Sequence, residues 1–322
     1  MCFFFFTHTR APSQVLRFGA HSPDVLRRLG WMRDVLGPLL DAAVRRVAGG
    51  VAVRPLLGAS LAMGDEGHNR CKAATALLIS ELAPHLVRAG AASAAAGGGG
   101  ATAAAEHVAE ALSFLGGNAH FFLNLSMAAS KLALDAAAAA PGGGADPACT
   151  VVTAMARNGV EFGVRLAAAP AEWFVAPTPE VAQAVWFPGY GPADACRDLG
   201  DSAITETLGL GGPSMAAAPA LMSFVGGAAA DAVAFTAEAR EIYLADASRV
   251  WDELRVPALE WAGVPMLLDA RRVVARRVRP AINTGIAHRE AGVGQVGAGV
   301  SRAPLEPFEA AVLHVAAALG SP

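Results

Sequence analysis

Short segments of the chain concentrate polar and ionisable side chains that could carry chemistry. The first is the octapeptide MGDEGHNR, in which Asp65 and Glu66 suit the positive N-terminal end of a helix and Glu66 can pair with Arg70. A capped, solvated first turn needs only one or two such residues. The density of the group therefore favours His68 as a proton carrier and Asn69 and Arg70 as substrate ligands.

The second segment is GGNAHFFLNLSMAASK. On a helix, His120, Asn124, Met127 and Lys131 recur at i, i+4, i+7 and i+11, so they share one face. A polar face is usually only the solvated side of a helix, but Arg and Glu are the residues expected there in this chain. We therefore predict that the face lines a pocket, with His120 exchanging a proton and Asn118, Asn124 and Lys131 binding substrate.

The third segment, MARNGVEFG, contains the pair Asn158-Gly159, which is typical of a type I′ hairpin turn. A guanidinium matches the geometry of carboxylate or phosphate, so Arg157 is a candidate anion ligand with Asn158 beside it. The alternative is that Arg157 is a surface residue at the end of a strand.

The fourth segment, FPGYGPADACRDLGDSAITETLGLGG, places acidic and hydroxyl side chains before a Gly-rich turn. Backbone N–H groups in such turns bind anions, although the lysine of a Walker motif is missing. We predict that Asp201 or Glu206 orients a catalytic histidine and that Ser202 and Thr205 contact substrate. The alternative is a long surface loop.

The fifth segment, NTGIAHREAGVGQVGAG, contains a literal GxGxxG pattern. A dinucleotide fingerprint must open a helix, whereas the residues from Gln295 onward predict a strand, so we reject that function. Asn283, Thr284, His288 and Gln295 are instead predicted to bind substrate, and the glycines allow a close approach of backbone to ligand.

Composition and spacing exclude several classes of protein. The 25 basic and 28 acidic residues nearly balance, which argues against nucleic acid. Four distant cysteines without a CxxC pair favour reduced thiols in the cytoplasm. The longest apolar stretch is mostly alanine and is interrupted by Pro219, so we predict no membrane span. His68, His120 and His288 match no standard zinc spacing, so we predict no metal site and no cofactor.

The elements that must position these residues form a helical part and then a strand-rich part. A helix is predicted to begin at Ser22 within 15–47, a strand at 51–57, and helices at 65–82, ending near Pro84, and at 120–137. The Gly/Ala-rich stretches 89–105 and 136–147 are predicted to be exposed insertions. A hairpin follows from position 150. Further strands are predicted at 173–175, 258–261, 264–268, 281–286 and 295–301, and helices at 215–224, 228–244 and 306–319.

The predicted fold class is α+β, with a helical N-terminal portion followed by a mixed, largely antiparallel α/β domain. We expect residues 1–14 to be an unmatched leader and 15–60 a leading helix and strand, the remnant of an upstream domain. A helical domain with Gly/Ala-rich insertions would cover 61–148, and an α+β domain 149–322.

The five segments together resemble the YlbE-like family over about 15–313, through the motifs MGDExHNR, FLxxNxHFFLNLSMAAxK, VTAMARNGxxFG, FPGYGPxDAxxDLGDSAITET and INTGIAHxExGVGQVGAG. The best-understood members are the large subunit of oxamate carbamoyltransferase in allantoin (purine) degradation. Members usually carry a further nucleotide-binding-like α/β domain before the segment LRFGA, so this chain looks truncated at its N-terminus.

The resemblance implies a multi-subunit enzyme that converts oxalurate and phosphate to oxamate and carbamoyl phosphate. Its partners would be an acyl-CoA-synthetase-like subunit and a second small subunit, with carbamate kinase acting downstream, and homo-oligomerisation is compatible with this. In such a reaction Arg70 and Arg157 would hold anions, and Asn124 and Asn283 would contact amide or carbonyl groups. Two alternatives stay open: a metal-assisted amidohydrolase and a non-catalytic assembly subunit.

Overall fold

The computed structural model describes residues 15–97, 100–139, 146–181, 183–247, 251 and 253–320. Helices form the chain up to Ala138, and antiparallel strands with further helices form the remainder. The predicted α+β class with a helical N-terminal part is therefore confirmed. The predicted leader 1–14 lies outside the described residues, as does most of the Gly-rich core of the predicted insertion 136–147.

The helical part is built from α-helices that pack against one another. They are α1 (Pro23–Trp31), α2 (Gly37–Val44), α3 (Val53–Ala62), α4 (Lys72–Ala95), α5 (Gly100–Gly117) and α6 (Leu123–Ala138), with a π-helical segment at Met32–Leu36 joining α1 to α2. Ser22 is the N-cap of α1, as predicted, and accepts a hydrogen bond from the Val25 N–H at 3.5 Å.

Several predictions in this part were wrong. The predicted strand at 51–57 is the start of α3. Residues 63–71 form a loop rather than a helical turn, because the Asp65 carboxylate lies outside α4 and accepts the Ala74 N–H at 2.8 Å, which caps α4 from its third residue. Pro84 lies inside α4 without ending it.

The predicted insertion at 89–105 is also wrong over most of its length, since it contains the end of α4 and the start of α5. The two helices pack closely here, because a Cβ at Gly90 would lie 2.6 Å from Val108 Cγ2. The helix predicted from His120 begins three residues later, at Leu123.

Over its described residues, the second part contains three antiparallel sheets. Strands β1 (Val152–Asn158), β2 (Glu161–Leu166), β3 (Ala169–Pro177), β4 (Gln183–Trp186), β5 (Leu199–Gly200), β6 (Tyr243–Asp246), β7 (Pro265–Leu268), β8 (Ala281–Ala287) and β9 (Gln295–Arg302) pair in the orders β3-β2-β1-β5, β4-β9-β8 and β6-β7. Helices α7 (Ile204–Leu208), α8 (Met222–Val225), α9 (Ala229–Arg240), α10 (Ala270–Arg276) and α11 (Glu306–Gly320) alternate with them.

The predicted hairpin joins β1 to β2, with Arg157 opposite Phe162. Gly159 adopts a φ of +85° while Asn158 does not enter the left-handed region, so the type I′ turn was wrong. The Asn158 side chain instead accepts the N–H groups of Val160 and Glu161 at 2.9 and 2.7 Å.

Three further predictions require correction. The strand predicted at 258–261 is a 3-10 turn, Pro257–Leu259. The helix predicted at 228–244 ends at Arg240, because the following residues pair with β7 as β6. The region 215–224 consists of 3-10 turns and the four-residue α8, because Pro219 interrupts its alanine-rich run.

The element that matters most for the polar motifs is α7, which is buried along its whole length and packs against α6 and β1. One hydrophobic core contains Leu78 and Phe122 of the helical part together with Leu208 and Met266 of the strand-rich part. Within the described residues, no helix is long and apolar enough to cross a bilayer.

Candidate functional site

The loop 63–71 between α3 and α4 is folded around the carboxylate of Glu66. Its Oε1 accepts the backbone N–H groups of Asn69 at 2.5 Å and Arg70 at 3.1 Å, and its Oε2 accepts the N–H of His68. Gly67 allows this reversal of the chain with a φ of +86°. The loop therefore presents His68, Asn69 and Arg70 in a fixed order around a buried acid.

His68 is held by a second buried carboxylate. Its Nδ1 lies 2.6 Å from Oε1 of Glu206 on α7, and the two side chains are 3% and 0% exposed. The same Oε1 accepts the N–H groups of Gly212 and Asn283 at 3.2 and 3.1 Å. Gly211 must be glycine, because its φ is +71° and a Cβ there would lie 2.0 Å from Glu206 Oε1.

Asn283 on β8 links the two acids. Its Nδ2 donates to Glu66 Oε1 at 3.2 Å and contacts the Met215 sulfur at 3.1 Å, and the residue is fully buried. We call Glu66, His68, Glu206 and Asn283 the acid–histidine cluster. Its members come from three distant segments of the chain.

Burial changes the protonation of the acids in this region. It raises the pKa of Glu66 to about 7, with a smaller contribution from Glu206 and with opposition from the charge of His68 and the donors around the carboxylate. Burial also raises the pKa of Asp65 to about 6, opposed by the Ala74 N–H and by Arg70. Carboxyls with pKa values this close to neutrality can exchange protons at physiological pH.

A second cluster surrounds Arg157 on β1, and we call Arg157, Asp198 and Thr284 the arginine cluster. The guanidinium Nε donates to Asp198 Oδ2 at 2.9 Å, Nη1 to the Gly200 carbonyl at 3.2 Å and Nη2 to Thr284 Oγ1 at 3.3 Å. The Thr284 hydroxyl in turn donates to Asp198 Oδ1 at 2.8 Å. The Arg157 and Asp198 side chains are 1% and 0% exposed.

Strand β8 joins the two clusters, because successive side chains on a strand point to opposite faces. Asn283 therefore contacts the acid–histidine cluster, and Thr284 contacts the arginine cluster. Thr205 and Ser202 lie beside the acid–histidine cluster: the Thr205 hydroxyl is 2.7 Å from the Ser202 carbonyl and 3.1 Å from Glu206 Oε2. Both residues are buried.

The predicted residues of the second segment lie next to this region. The turn before α6 rests on the first turn of α4, where the Phe122 N–H donates to Thr75 Oγ1 at 3.2 Å. In that turn the buried Asn118 accepts the N–H of the half-buried His120 at 3.2 Å. Asn124 is buried, and its Nδ2 donates to the Phe121 carbonyl at 2.9 Å.

Other predicted residues lie elsewhere. Lys131 is exposed and pairs with Asp135, Asn158 is exposed at the hairpin turn, and Asp201 is exposed at the surface. Asp201 therefore does not share the buried position of Glu206 beside His68.

Gln295 is the first residue of β9, and His288 follows the end of β8, where it forms an isolated bridge with Ala195. His288 Nδ1 accepts the Glu290 N–H at 2.9 Å, its Nε2 lies 4.0 Å from Asp194 Oδ1, and its ring stacks edge-to-face on Tyr190. Gln295 is buried and donates to the Gly297 carbonyl at 2.9 Å.

Sequence reasoning missed part of the site. Asp65 and Glu66 were predicted as charges of a first helical turn, and the predicted Glu66–Arg70 pair was wrong: Arg70 Nε lies 3.6 Å from Asp65 Oδ1 instead. The available signal was Gly67, which interrupts the helical pattern. Nothing in the sequence marked Tyr243, whose hydroxyl donates to the Glu206 backbone carbonyl at 2.5 Å and whose pKa burial raises well above its usual value.

Across the residues that the structure describes, no three His, Cys, Asp or Glu side chains are arranged to hold a metal ion.

Comparisons with known proteins identify the family. The family described as "Oxamate carbamoyltransferase subunit AllG" matches residues 4–202. Oxamate carbamoyltransferase subunit AllG of Escherichia coli K12 is 42% identical over 308 residues, which cover 95% of this chain and 68% of that protein. The uncharacterized protein YahG of the same organism is 42% identical over 301 residues, which cover 94% of this chain and 59% of YahG.

A solved structure agrees with these matches. The crystal structure of a conserved protein of unknown function from Enterococcus faecalis V583 superimposes with a TM-score of 0.83 at 38% identity, covering 96% of this chain and 68% of that one. The chain thus spans roughly 60–70% of the length of these relatives. The resemblance that the motifs indicate is confirmed, and the chain belongs to the oxamate carbamoyltransferase subunit AllG family.

Proposed function

We propose that this chain is a subunit of an oxamate carbamoyltransferase and that its acid–histidine cluster takes part in the reaction. One observation carries the second half of the proposal. Residues as far apart as Glu66 and Asn283, separated by 217 positions, meet with His68 and Glu206 around one buried set of hydrogen bonds. Membership of the family supports the first half.

The proposed reaction is carbamoyl transfer between oxalurate and phosphate. A phosphate oxygen forms a bond to the ureido carbonyl carbon of oxalurate, the bond from that carbon to the inner nitrogen breaks, and a proton passes to the leaving nitrogen. The products are carbamoyl phosphate and oxamate. Such a site needs a proton donor, donors for the developing oxyanion and a cation for the anionic groups.

His68 fits the role of proton donor. Glu206 accepts the hydrogen bond from Nδ1 at 2.6 Å, which fixes the ring and leaves Nε2 as the atom that exchanges a proton with the leaving nitrogen. The buried carboxylate thus orients the ring, as the acid of a catalytic triad does.

Arg70 and Arg157 take different roles in the proposal. Arg70 lies at the edge of the cluster with a side chain that is 37% exposed, so it can meet an anionic substrate arriving from solvent. Arg157 is buried and its charge is balanced by Asp198, so we assign it the positioning of β1, β5 and β8 around the site.

The proposal extends to the assembly that the family resemblance implies. The partners would be an acyl-CoA-synthetase-like subunit and a second small subunit, in purine (allantoin) catabolism in the cytoplasm. The substrates and partners are proposed from the family and from the printed name of the E. coli relative.

The test is turnover in the complex reconstituted with the partner subunits. Carbamoyl phosphate formation from oxalurate and phosphate would be measured for His68→Asn and Glu206→Gln, with Lys131→Ala as the exposed control. We expect kcat to fall by roughly 100-fold or more in both cluster variants, the usual contribution of general acid–base catalysis, and to stay unchanged in the control. Near-normal turnover in folded cluster variants would favour the assembly-subunit alternative, and a wild-type complex without turnover would refute the proposed reaction.

A further inference from the structure

Buried polar atoms of the loop 63–71 and of strands β8 and β9 lack hydrogen-bond partners among the described residues. Three are acceptors and two are donors: Asp65 Oδ1, Asn283 Oδ1, Gln295 Oε1, Asn69 Nδ2 and Arg70 Nε. Buried polar groups are nearly always paired, so a concentration of unpaired ones marks a place where a ligand or ordered water binds.

Three of these five residues surround the carboxylate of Glu66. Glu66 Oε1 accepts the backbone N–H groups of Asn69 and Arg70 and the Nδ2 of Asn283. Asp65 Oδ1 and Arg70 Nε lie 3.6 Å apart, longer than the ~2.9 Å of an N–H···O bond. A ligand that donates to Asp65 through one group and accepts from Arg70 through another would satisfy both.

Gln295 lies on the same face of the sheet as Asn283, because Gly285 has no side chain to occupy that space. Asn283 and Gly285 lie two residues apart on β8 and so share a face. A Cβ at Gly285 would lie 3.0 Å from the Gln295 amide, which occupies that space. The Gln295 amide therefore lies on the face of β8 that also carries Asn283.

Chemistry fixes which atoms of these amides remain available. Asn283 donates Nδ2 to Glu66, and Gln295 donates Nε2 to the Gly297 carbonyl, so the oxygen of each amide is the unpaired atom. Asp65 as a carboxylate only accepts, and Arg70 only donates. The group thus offers three acceptors and two donors, one of which is cationic.

We propose that these side chains form a subsite for a primary amide attached to an anionic group. One hydrogen of its –NH2 would be donated to Asp65 and the other shared by the amide oxygens of Asn283 and Gln295, while its oxygens would accept from Arg70 and Asn69. The inference rests on the proposed function, because both oxamate and the carbamoyl end of oxalurate carry such an –NH2. A ligand with a methyl group in place of –NH2 would leave the acceptors unpaired, and one with a carboxylate there would face acceptors only.

Binding of three small anions to the complex of this chain with its partner subunits tests the subsite. Oxamate, pyruvate and oxalate share a carboxylate and a carbonyl but present –NH2, –CH3 and –O⁻ at the same position. We expect oxamate to bind at least roughly tenfold more tightly than pyruvate or oxalate by calorimetry, since sites that hydrogen-bond a ligand group discriminate strongly against analogues that lack it. Equal binding of oxamate and pyruvate, or no binding of oxamate, overturns the subsite.

Variants separate the subsite from the remainder of the protein. Asp65→Asn removes an acceptor, and Gln295→Met removes another at similar volume; each is expected to reduce the preference for oxamate over pyruvate severalfold. Asp231→Asn is the matched control, because Asp231 also caps a helix through the Ala228 N–H at 2.7 Å but is exposed. A preference that persists in both subsite variants overturns the assignment.

The binding assay and the turnover assay can refute the subsite and the carbamoyl transfer independently. Turnover in the wild-type complex without any preference for oxamate over pyruvate would refute the subsite and leave the carbamoyl transfer standing. A strong preference for oxamate over pyruvate in a complex that forms no carbamoyl phosphate would support the subsite and refute the carbamoyl transfer.

Discussion

Replacing Arg157 by methionine tests whether the arginine cluster holds the strand-rich part together. The substitution keeps most of the apolar stem and removes three hydrogen bonds, to Asp198, to the Gly200 carbonyl and to Thr284. Asp198, whose side chain is 0% exposed, would keep its charge with the Thr284 hydroxyl as its remaining side-chain donor among the described contacts.

The expected cost follows from that uncompensated charge. Removing one partner of a buried ion pair costs about 3–5 kcal/mol, because the other charge stays buried. A protein of this kind is stable by only about 5–15 kcal/mol, so the loss would be a large part of the total. Arg165→Met is the control: Arg165 lies on the neighbouring strand, half-buried, with its guanidinium 5.4 Å from the Trp173 ring, and pairs with no buried acid in the described structure.

A double-mutant cycle isolates the pair. Asp198→Asn in the Arg157→Met background removes the stranded charge while preserving the Thr284 contact, so it should restore much of the lost stability. The assay is urea denaturation followed by tryptophan fluorescence and circular dichroism. If Arg157→Met costs no more than Arg165→Met, or if the double variant is no more stable than the single one, the reasoning about the buried pair is refuted.

Three further predictions concern the acid–histidine cluster. Gly211→Ala should displace Glu206 and abolish most turnover, because the new Cβ would lie 2.0 Å from Glu206 Oε1. Gly49→Ala is the control: Gly49 has a φ of +79° and nothing within 4 Å of its Cβ position, so this variant carries only the backbone cost of about 1–2 kcal/mol. Equal effects of the two variants would contradict the proposed clash with Glu206. Glu66 has a pKa raised from 4.5 to about 7, so between these pH values the folded state binds a proton that the unfolded state does not. The free energy of unfolding should therefore fall as pH rises through this window, by up to about 1.4 kcal/mol per pH unit. Glu66→Gln should flatten that slope in denaturation measured from pH 4.5 to 7.5. Tyr243→Phe should cost about 1–3 kcal/mol in the same assay, because the backbone carbonyl of Glu206 loses a buried donor, and an unchanged stability would exclude that contact.

The sequence predicted the elements whose local signals were strong. The Ser22-Pro23 start of α1, the hairpin around Asn158 and the strands β8 and β9 were found because capping, turn chemistry and alternation agree with the tertiary structure. The alanine-rich regions were predicted poorly, since alanine fits a helix, a 3-10 turn or an exposed linker equally well. Pro84 misled for a related reason: packing against α5 keeps α4 intact across it.

The site was predictable as a set of segments but not as a set of contacts. Four of the five polar segments meet at the two clusters through His68, Glu206, Arg157 and Asn283, which were all candidates from residue type. An acidic side chain can cap a helix or accept hydrogen bonds from the backbone N–H groups of a loop, and the path of the backbone decides which. The position of Glu66 could therefore not be predicted from the spacing of residues in the sequence.

The glycines of the motifs have a role different from the anion-binding one that their pattern suggests. Gly211 leaves room for the carboxylate of Glu206, and Gly285 leaves room for the amide of Gln295; in each case a Cβ would lie within 3.0 Å of the polar side chain opposite. Because a methyl group at either place would displace the polar side chain, the glycines fix where that side chain lies. Gly211 and Gly285 thus act by admitting side chains of the chain itself, and in the proposed site the anion contact falls to Arg70 at the exposed edge.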